Sequence, residues 1–404
     1  MDHTPRVVFR FYSILFTEQS NLIIMASMAE DTVVRICATG DLHLGMKFAN
    51  YPDVAEELSA ARYTALEKIV FIGSEKNCDL LVVAGDLFDR VNVSKKEIMR
   101  AAGILNDFKG KGVCILPGNH DYFAGKGSTL WSVFREETGG NVLFLGQKKP
   151  YSLRHLDLDC LILPGPCESK HSPLHALSWI SAGDAPEHHA VTVGIVHGSV
   201  EGVSPDFDDQ YYPMKLGFFD DLPASLWIAG HTHQAQEHKL KNCTVVFPGT
   251  PEPDGFDFTR KGTASCIEID GSGTVVVEQV ETGGYLFKRE TREIAGLEDL
   301  DAVLKGTEDE NCADVKKTLL KLALKGRVAP ETFEGINRLR RRLSEAFFYS
   351  EVDDTSLSLK ITREMVEKEF SRGSFPYLLL MELLDGGDSE ALHTAYDLLL
   401  EARV

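Results

Sequence analysis

The sequence predicts an α/β protein: a two-sheet sandwich with helices outside and loops gathered along one edge, followed by a small α+β domain. Three observations carry this. From residue 33 onward, short β-branched runs alternate with helically spaced segments, the pattern of parallel strands joined by helical crossovers. Five of the apolar runs end in clusters of Asp, His or Asn. After Gly283-Gly284 the texture changes to longer helical segments with an arginine run.

Residues 1–29 fit poorly with the rest of the chain. Their apolar stretch, 7–16, is broken by Arg10, no small-residue cleavage site comes after it, and Met25 and Met28 stand just before the first credible strand. They read as an extension, disordered or upstream of the true start, rather than as a signal peptide. A first domain is then expected over 30–284 and a second over 285–404.

Residues 33–38 read as a strand ending in Thr39-Gly40-Asp41-Leu42-His43. Segment 55–74 has helical spacing of Leu58, Ala61, Leu66 and Ile69. Strand 79–84 leads into Gly85-Asp86-Leu87-Phe88-Asp89, and Ser94 is placed as the N-cap of a helix running to 108. Strand 113–116 stops at Pro117-Gly118, before Asn119-His120-Asp121. Ligands of such sheets bind outside the carboxyl ends of the strands, and these motifs all sit there.

Further on, 142–145 and 158–163 look like strands, with loop over 164–173. His188-His189 resembles a metal pair but comes after Pro186-Glu187 and reads as a solvated turn. Strand 191–196 ends in His197-Gly198, and strand 226–229 ends in Gly230-His231-Thr232-His233. Runs 243–247, 264–269 and 274–280 are closely spaced, as in one antiparallel sheet. In the second domain a strand is expected at 319–324, a helix at 333–348 with Leu339, Leu343 and Phe347 on one face, and a strand at 356–361. The remainder of the domain is expected to hold two or three helices, interrupted by Gly386-Gly387. Arg338, Arg340, Arg341 and Arg342 form either a solvated helix face or a contact for phosphate or an acidic partner.

The net charge of −19 argues against a broad phosphate-binding surface, although cations bound at an acidic site would invert the local field. Eight scattered cysteines without a C-x-x-C pair suit core thiols of a reducing, cytoplasmic compartment. No apolar run is long enough to span a bilayer.

Phosphodiesters are inert, so hydrolysis needs concentrated positive charge and a ready nucleophile, which a pair of divalent cations supplies. Asp86 is assigned as the carboxylate that bridges them. Asp41, His43 and His233 complete the shell of one cation; Asn119, His197 and His231 complete that of the other. Imidazole, carboxylate and amide donors suit manganese, iron or zinc better than calcium, and manganese is the choice within that set. His120 is placed as a general acid for the leaving oxygen, with Asp89 as the carboxylate that fixes its tautomer. Each motif has a blander reading: D-x-H is common, and G-D-x-x-D can be a turn with a capping aspartate. Five in this order, each at a strand end, are hard to obtain from packing alone.

On these motifs, residues from about 33 to 250 resemble the calcineurin-like metallophosphoesterase superfamily. The resemblance implies a four-layer αββα metallophosphoesterase sandwich, supports the ligand set and implies a His120–Asp89 dyad. Within the superfamily the chain looks most like the bacterial SbcD-type and YhaO-type DNA repair exonucleases. That narrower likeness rests on Thr39 to Gly45, on Val82 to Asp89, and on Phe247-Pro248-Gly249-Thr250-Pro251 with Gly255-Phe256-Asp257-Phe258 and Lys261-Gly262. It implies a C-terminal capping domain, DNA ends as substrate, manganese, and an SbcC-like coiled-coil ATPase as partner, with a homodimer as one arrangement. Asp89 is a departure from archaeal and eukaryotic relatives, which carry histidine there, and favours the bacterial branch.

Two other functions compete. A small-molecule phosphodiesterase or nucleotide pyrophosphatase would use the same cations and agrees with the acidic charge, but needs no large appendage. A non-catalytic scaffold would bind a partner through the tail, but the complete ligand set weighs against it.

Overall fold

The computed structural model describes residues 32–125, 127–180, 189–204, 210–308 and 315–402; the expected extension at 1–29, and His188, lie outside them. The chain forms two compact units, one ending at Leu286 and one starting at Phe287.

In the first unit, β1 (Val33–Thr39), α1 (Ala55–Glu75), β2 (Leu80–Ala84), α2 (Lys95–Asn106), β3 (Gly112–Leu116), α3 (Thr129–Glu137) and β4 (Val142–Phe144) succeed one another. β1 to β4 pair in parallel, as βαβ crossovers require. The helix starts have local causes. Ser94 Oγ accepts the Glu97 N–H at 3.3 Å while Glu97 Oε2 accepts the Ser94 N–H at 2.9 Å, a reciprocal cap. α1 buries Leu58, Ala61, Leu66 and Ile69, the residues whose spacing predicted it. α3 is an addition to the expected elements, although it buries Leu130, Trp131 and Phe134.

A second sheet holds β5 (Tyr151–Ser152), β6 (Cys160–Gly165), β7 (Val191–His197), β8 (Leu226–Gly230), β9 (Gln236–Lys239) and β10 (Thr244–Phe247). Its order is β5-β6-β7-β8-β10-β9. β11 (Thr263–Asp270) and β12 (Val275–Glu281) return to the first sheet, which runs β12-β11-β1-β2-β3-β4. This corrects the expectation of one antiparallel sheet over 243–280. β10 lies parallel to β8 and β11 antiparallel to β1, because the Pro- and Gly-rich segment 248–262 carries the chain from one sheet to the other.

The two sheets close on a core of Ile36, Ala38, Val82 and Leu116 from one and Ile162, Val193, Ile195 and Ile228 from the other. The outer face of the first sheet is covered by α1, α2 and α3. The outer face of the second is not. Among the described residues it is covered by Cys167, Ala176, Leu177 and the short 3-10 turn Leu216–Asp221, with Phe219 against Trp227. Among the described residues the fourth layer is therefore loop and 3-10 turn there, rather than the α-helices expected.

The second unit contains β13 (Leu286–Glu293, starting at the junction), α4 (Leu297–Glu308), β14 (Thr318–Val328), α5 (Pro330–Ala346), β15 (Tyr349–Leu359), α6 (Arg363–Glu369), α7 (Phe375–Gly386) and α8 (Ser389–Glu401). The sheet runs β13-β14-β15, with β14 and β15 parallel. α5 starts earlier than expected because Pro330 suits its first turn. It buries Ile336, Leu339 and Leu343 among Leu320, Leu322 and Leu324. Arg338, Arg341 and Arg342 are exposed, while Arg340 pairs with Asp354 at 2.8 Å. The strand expected at 356–361 starts at Tyr349 and stops at Leu359, pairing along its length with β14; Glu351, Asp353 and Asp354 interrupt the apolar alternation that would have marked its first half. No helix among the described residues is long and apolar enough to cross a membrane.

Candidate metal centre

The site is built where strands give way to loops. Asp41 and His43 come after β1, Asp86 after β2, Asn119 after β3, His197 ends β7, and His231 and His233 come after β8. Asp41, His43, Asp86 and His231 have left-handed backbones, with φ of 52°, 45°, 52° and 85°. Such residues cost about 1–3 kcal/mol each and persist where the surroundings over-determine them. Here the two loops are laced together. The Asp41 N–H donates to Gly85 O at 3.1 Å, His43 N–H to Asp86 O at 2.9 Å and Leu44 N–H to Leu87 O at 2.9 Å. Asp121, fully buried, fastens the third loop: its carboxylate accepts Gly118 N–H at 2.7 Å and Phe88 N–H at 3.0 Å. Gly118 must be glycine, since a Cβ there would lie 2.1 Å from Asp86 Oδ1.

Three groups of donor atoms each lie within 4.8 Å of one another: Asp41, His43 and His233; Asp41, Asp86 and His197; His43, Asp86 and His120. Asp86 stands between the groups, with Oδ2 3.3 Å from His197 Nε2 and 3.8 Å from His43 Nε2. His197 Nδ1 meets Ala84 O at 2.9 Å, which leaves Nε2 as the donor, and Nε2 is 2.9 Å from Asn119 Oδ1. The His231 main-chain N–H donates to both Asp41 oxygens at 3.1 Å. The His231 side chain joins none of the three donor groups; its ring lies 5.5 Å from that of His197 and 5.3 Å from that of Tyr211.

Burial raises the Asp41 carboxyl, with the imidazoles of His233 and His197 opposing. Burial also pushes Asp86 up, but His197 outweighs it and holds that carboxyl well below its usual range. Correspondingly, burial lowers His197 while Asp86 overcomes it and raises the imidazole to about 9. His43, with burial dominant, is held well below its ordinary value and stays a neutral donor.

The residues fit divalent cations. Two buried carboxylates face four imidazoles and an amide, a donor set suited to manganese, iron or zinc. Asn119 Nδ2 and His43 Nδ1 have no hydrogen-bond partner among the described residues, so the polar cluster is not satisfied from within the protein.

One expectation changes. His120 Nδ1 is held at 2.9 Å by the main-chain carbonyl of Asp89, not by its carboxylate, and the Asp89 carboxylate lies 4.0 Å from Arg90 Nε. A carbonyl fixed by the loop orients the ring as a side-chain acceptor would, so the residue type at 89 is freed from that task.

Two further residues belong to the site and were not among the expected ones. Asp254 Oδ2 lies 3.5 Å from His233 Nδ1 and 3.4 Å from Arg62 Nη2. Arg62 is fully buried beneath the site and donates from Nη1 to Leu42 O at 2.7 Å. A signal for Arg62 exists in the sequence: it sits midway between Leu58 and Leu66, a charge on the apolar face of α1. Asp254 gives none, since Pro253-Asp254-Gly255 reads as an ordinary turn.

The model of the calcineurin-like phosphoesterase family matches residues 34–235. Relatives described as DNA double-strand break repair protein Mre11 occur in Archaeoglobus fulgidus and Methanopyrus kandleri, both 26% identical. The first match covers 89% of this chain and 82% of the relative; the second covers 61% and 57%. The chain thus spans little more than half the length of the Methanopyrus protein. The metallophosphoesterase YhaO of Bacillus subtilis is 23% identical over 72% of this chain and 71% of its own.

Proposed function

The chain belongs to the calcineurin-like phosphoesterase family and is a metal-dependent phosphoesterase, and from that premise we propose that it is a two-metal nuclease acting on DNA ends in the cytoplasm. Its partner on this reading is an SbcC-like coiled-coil ATPase, and the unit from Phe287 onward caps DNA or binds that ATPase. The reading is supported by one observation above the rest. The match to the Archaeoglobus repair protein covers 89% of this chain, so it reaches beyond the phosphoesterase region into the second unit.

Asp86 would serve both cations, Asp41, His43 and His233 would hold one, and Asn119 and His197, with His231 once its ring turns toward them, would hold the other. When bound, the cations supply an activated water and neutralise charge on the phosphoryl group. Manganese is the proposed metal, with iron or zinc compatible with the same donors. The protein's own work is positional. Ala84 O fixes the His197 ring, which leaves the Nε2 lone pair 2.9 Å from Asn119 Oδ1, two donor atoms that a cation would hold together. Nδ1 of His120 donates to the Asp89 carbonyl, which leaves Nε2 for the substrate; in the imidazolium form Nε2 carries the proton that it hands to the leaving oxygen.

The net charge of −19 favours a second reading, a phosphodiesterase or pyrophosphatase of small nucleotides. Turnover with manganese on blunt duplex DNA, single-stranded DNA and cyclic nucleotides separates the two. Cleavage of DNA with little cyclic-nucleotide hydrolysis is expected; the reverse preference overturns the nuclease.

A further inference from the structure

Away from the metal centre, three thiols meet on the outer face of the first sheet. Cys37 lies on β1, Cys266 on β11 directly opposite it, and Cys78 in the turn that leads from α1 to β2. The kind of pairing is set by the backbone. Arg35 N–H donates to Asp79 Oδ2 at 3.0 Å, and Arg35 O accepts the Asp79 N–H at 2.8 Å. Both polar groups of Arg35 therefore point toward β2, and with the two-residue period of a strand so do those of Cys37. Cys37 and Cys266 are thus a non-hydrogen-bonded antiparallel pair, whose Cα atoms stand about 4.5 Å apart. That is within the roughly 4.4–6.8 Å a disulfide spans.

Access is one-sided. Cys266 and Cys78 line a surface cavity of about 230 Å³, together with Arg35, Lys76 and Glu278. Cys37 is sealed beneath, its sulfur 3.9 Å from Ile69 O. Lys76, paired with Glu278 at 2.8 Å, sets a cation beside the pocket. The neighbouring thiols of Cys37 and Cys78 hold Cys266 below the ordinary thiol range, with Lys76 adding to the effect. Burial and the same contacts raise Cys37 and Cys78. Of the two sulfurs that line the cavity, Cys266 is thus the one disposed to be a thiolate.

We propose that Cys266 is a peroxide-modification site and that Cys37 is its resolving partner, the two closing to a disulfide between β11 and β1. The Cys266 thiolate attacks a peroxide oxygen, forming Cys266–SOH and releasing the other oxygen as water or alcohol. The Cys37 sulfur then displaces the sulfenic oxygen, which leaves as water with the Cys37 proton. In sum, two thiols and one peroxide become one disulfide and two small hydroxylic products, water for both when the oxidant is hydrogen peroxide. The bond would tie β11 to the strand that delivers Asp41.

The test uses the native full chain. It is reduced, freed of reductant, exposed to graded hydrogen peroxide, alkylated, and digested with trypsin without reduction. Cleavage after Arg35, Lys76 and Lys261 places Cys37, Cys78 and Cys266 in different peptides. The expected product is a Cys37–Cys266 cross-linked pair, lost on dithiothreitol treatment, absent from Cys266→Ala and retained in Cys78→Ala. A Cys78–Cys266 link, Cys266 carried to higher oxides without a cross-link, or a link formed only in denaturant overturns the proposal. The wild-type digest alone decides among these, so no variant of the core residue Cys37 is needed.

Discussion

Replacing Asp254 by Asn tests whether the metal centre depends on a carboxylate outside its donor set. Asp254 Oδ2 faces His233 Nδ1 at 3.5 Å and Arg62 Nη2 at 3.4 Å. Asn keeps the size and one acceptor oxygen but removes the charge that orients His233. Loss of such an outer partner lowers metal affinity by about 10–100-fold, or about 1.4–2.7 kcal/mol. The loss should fall on one cation, that served by Asp41, His43 and His233. Calorimetric titration of manganese into chelator-treated protein reads this directly: one binding event weakens and the other keeps its wild-type affinity. Both Asp254→Asn and Asp254→Ala take the counter-ion from the buried Arg62, at a cost of about 3–5 kcal/mol in stability, but Ala is the harsher variant because it also removes the acceptor oxygen that Asn still offers to Arg62 Nη2. Asp254→Ala should therefore melt below Asp254→Asn. An Asn variant that binds both cations as wild type does would refute the reasoning, as would equal weakening of both.

His120→Ala should keep manganese binding while hydrolysis falls by about 10²–10⁴-fold, the usual worth of a positioned acid; full activity in that variant would show that another group serves the leaving oxygen. Gly85→Ala should impair both folding and metal binding. A Cβ there lies 2.1 Å from His197 Nδ1 at a φ of +92°, and the left-handed backbone alone costs about 1–2 kcal/mol; an unchanged melting curve and manganese isotherm would contradict the close approach. Manganese at a hundredfold excess over its dissociation constant should stabilise the first unit by about 2.7 kcal/mol per site, reversed by a chelator. A melting temperature indifferent to both additions would mean that the centre holds no cation.

What could be read from the chain by itself was local. A buried strand and the polar residues at its end are contiguous, so Asp41, Asp86, Asn119 and His197 could be placed at strand ends without coordinates. The α1 face and the Ser94 cap are equally local, since helical period and capping chemistry act within a few residues. The elements absent from the sequence expectations have weak local patterns. β9 alternates between half-buried and exposed residues, and β13 is mostly charged beyond Phe287. Tertiary structure decided what depends on distant partners. It sent β11 back to β1, left the second sheet's outer face without a helix among the described residues, and gave His120 the carbonyl of Asp89 instead of its carboxylate. It also set Asp254 against His233 and Arg62. The physical reason is the same in each case: a side chain's period is written in its neighbours along the chain, whereas its partner across a gap is chosen by the packing of whole sheets.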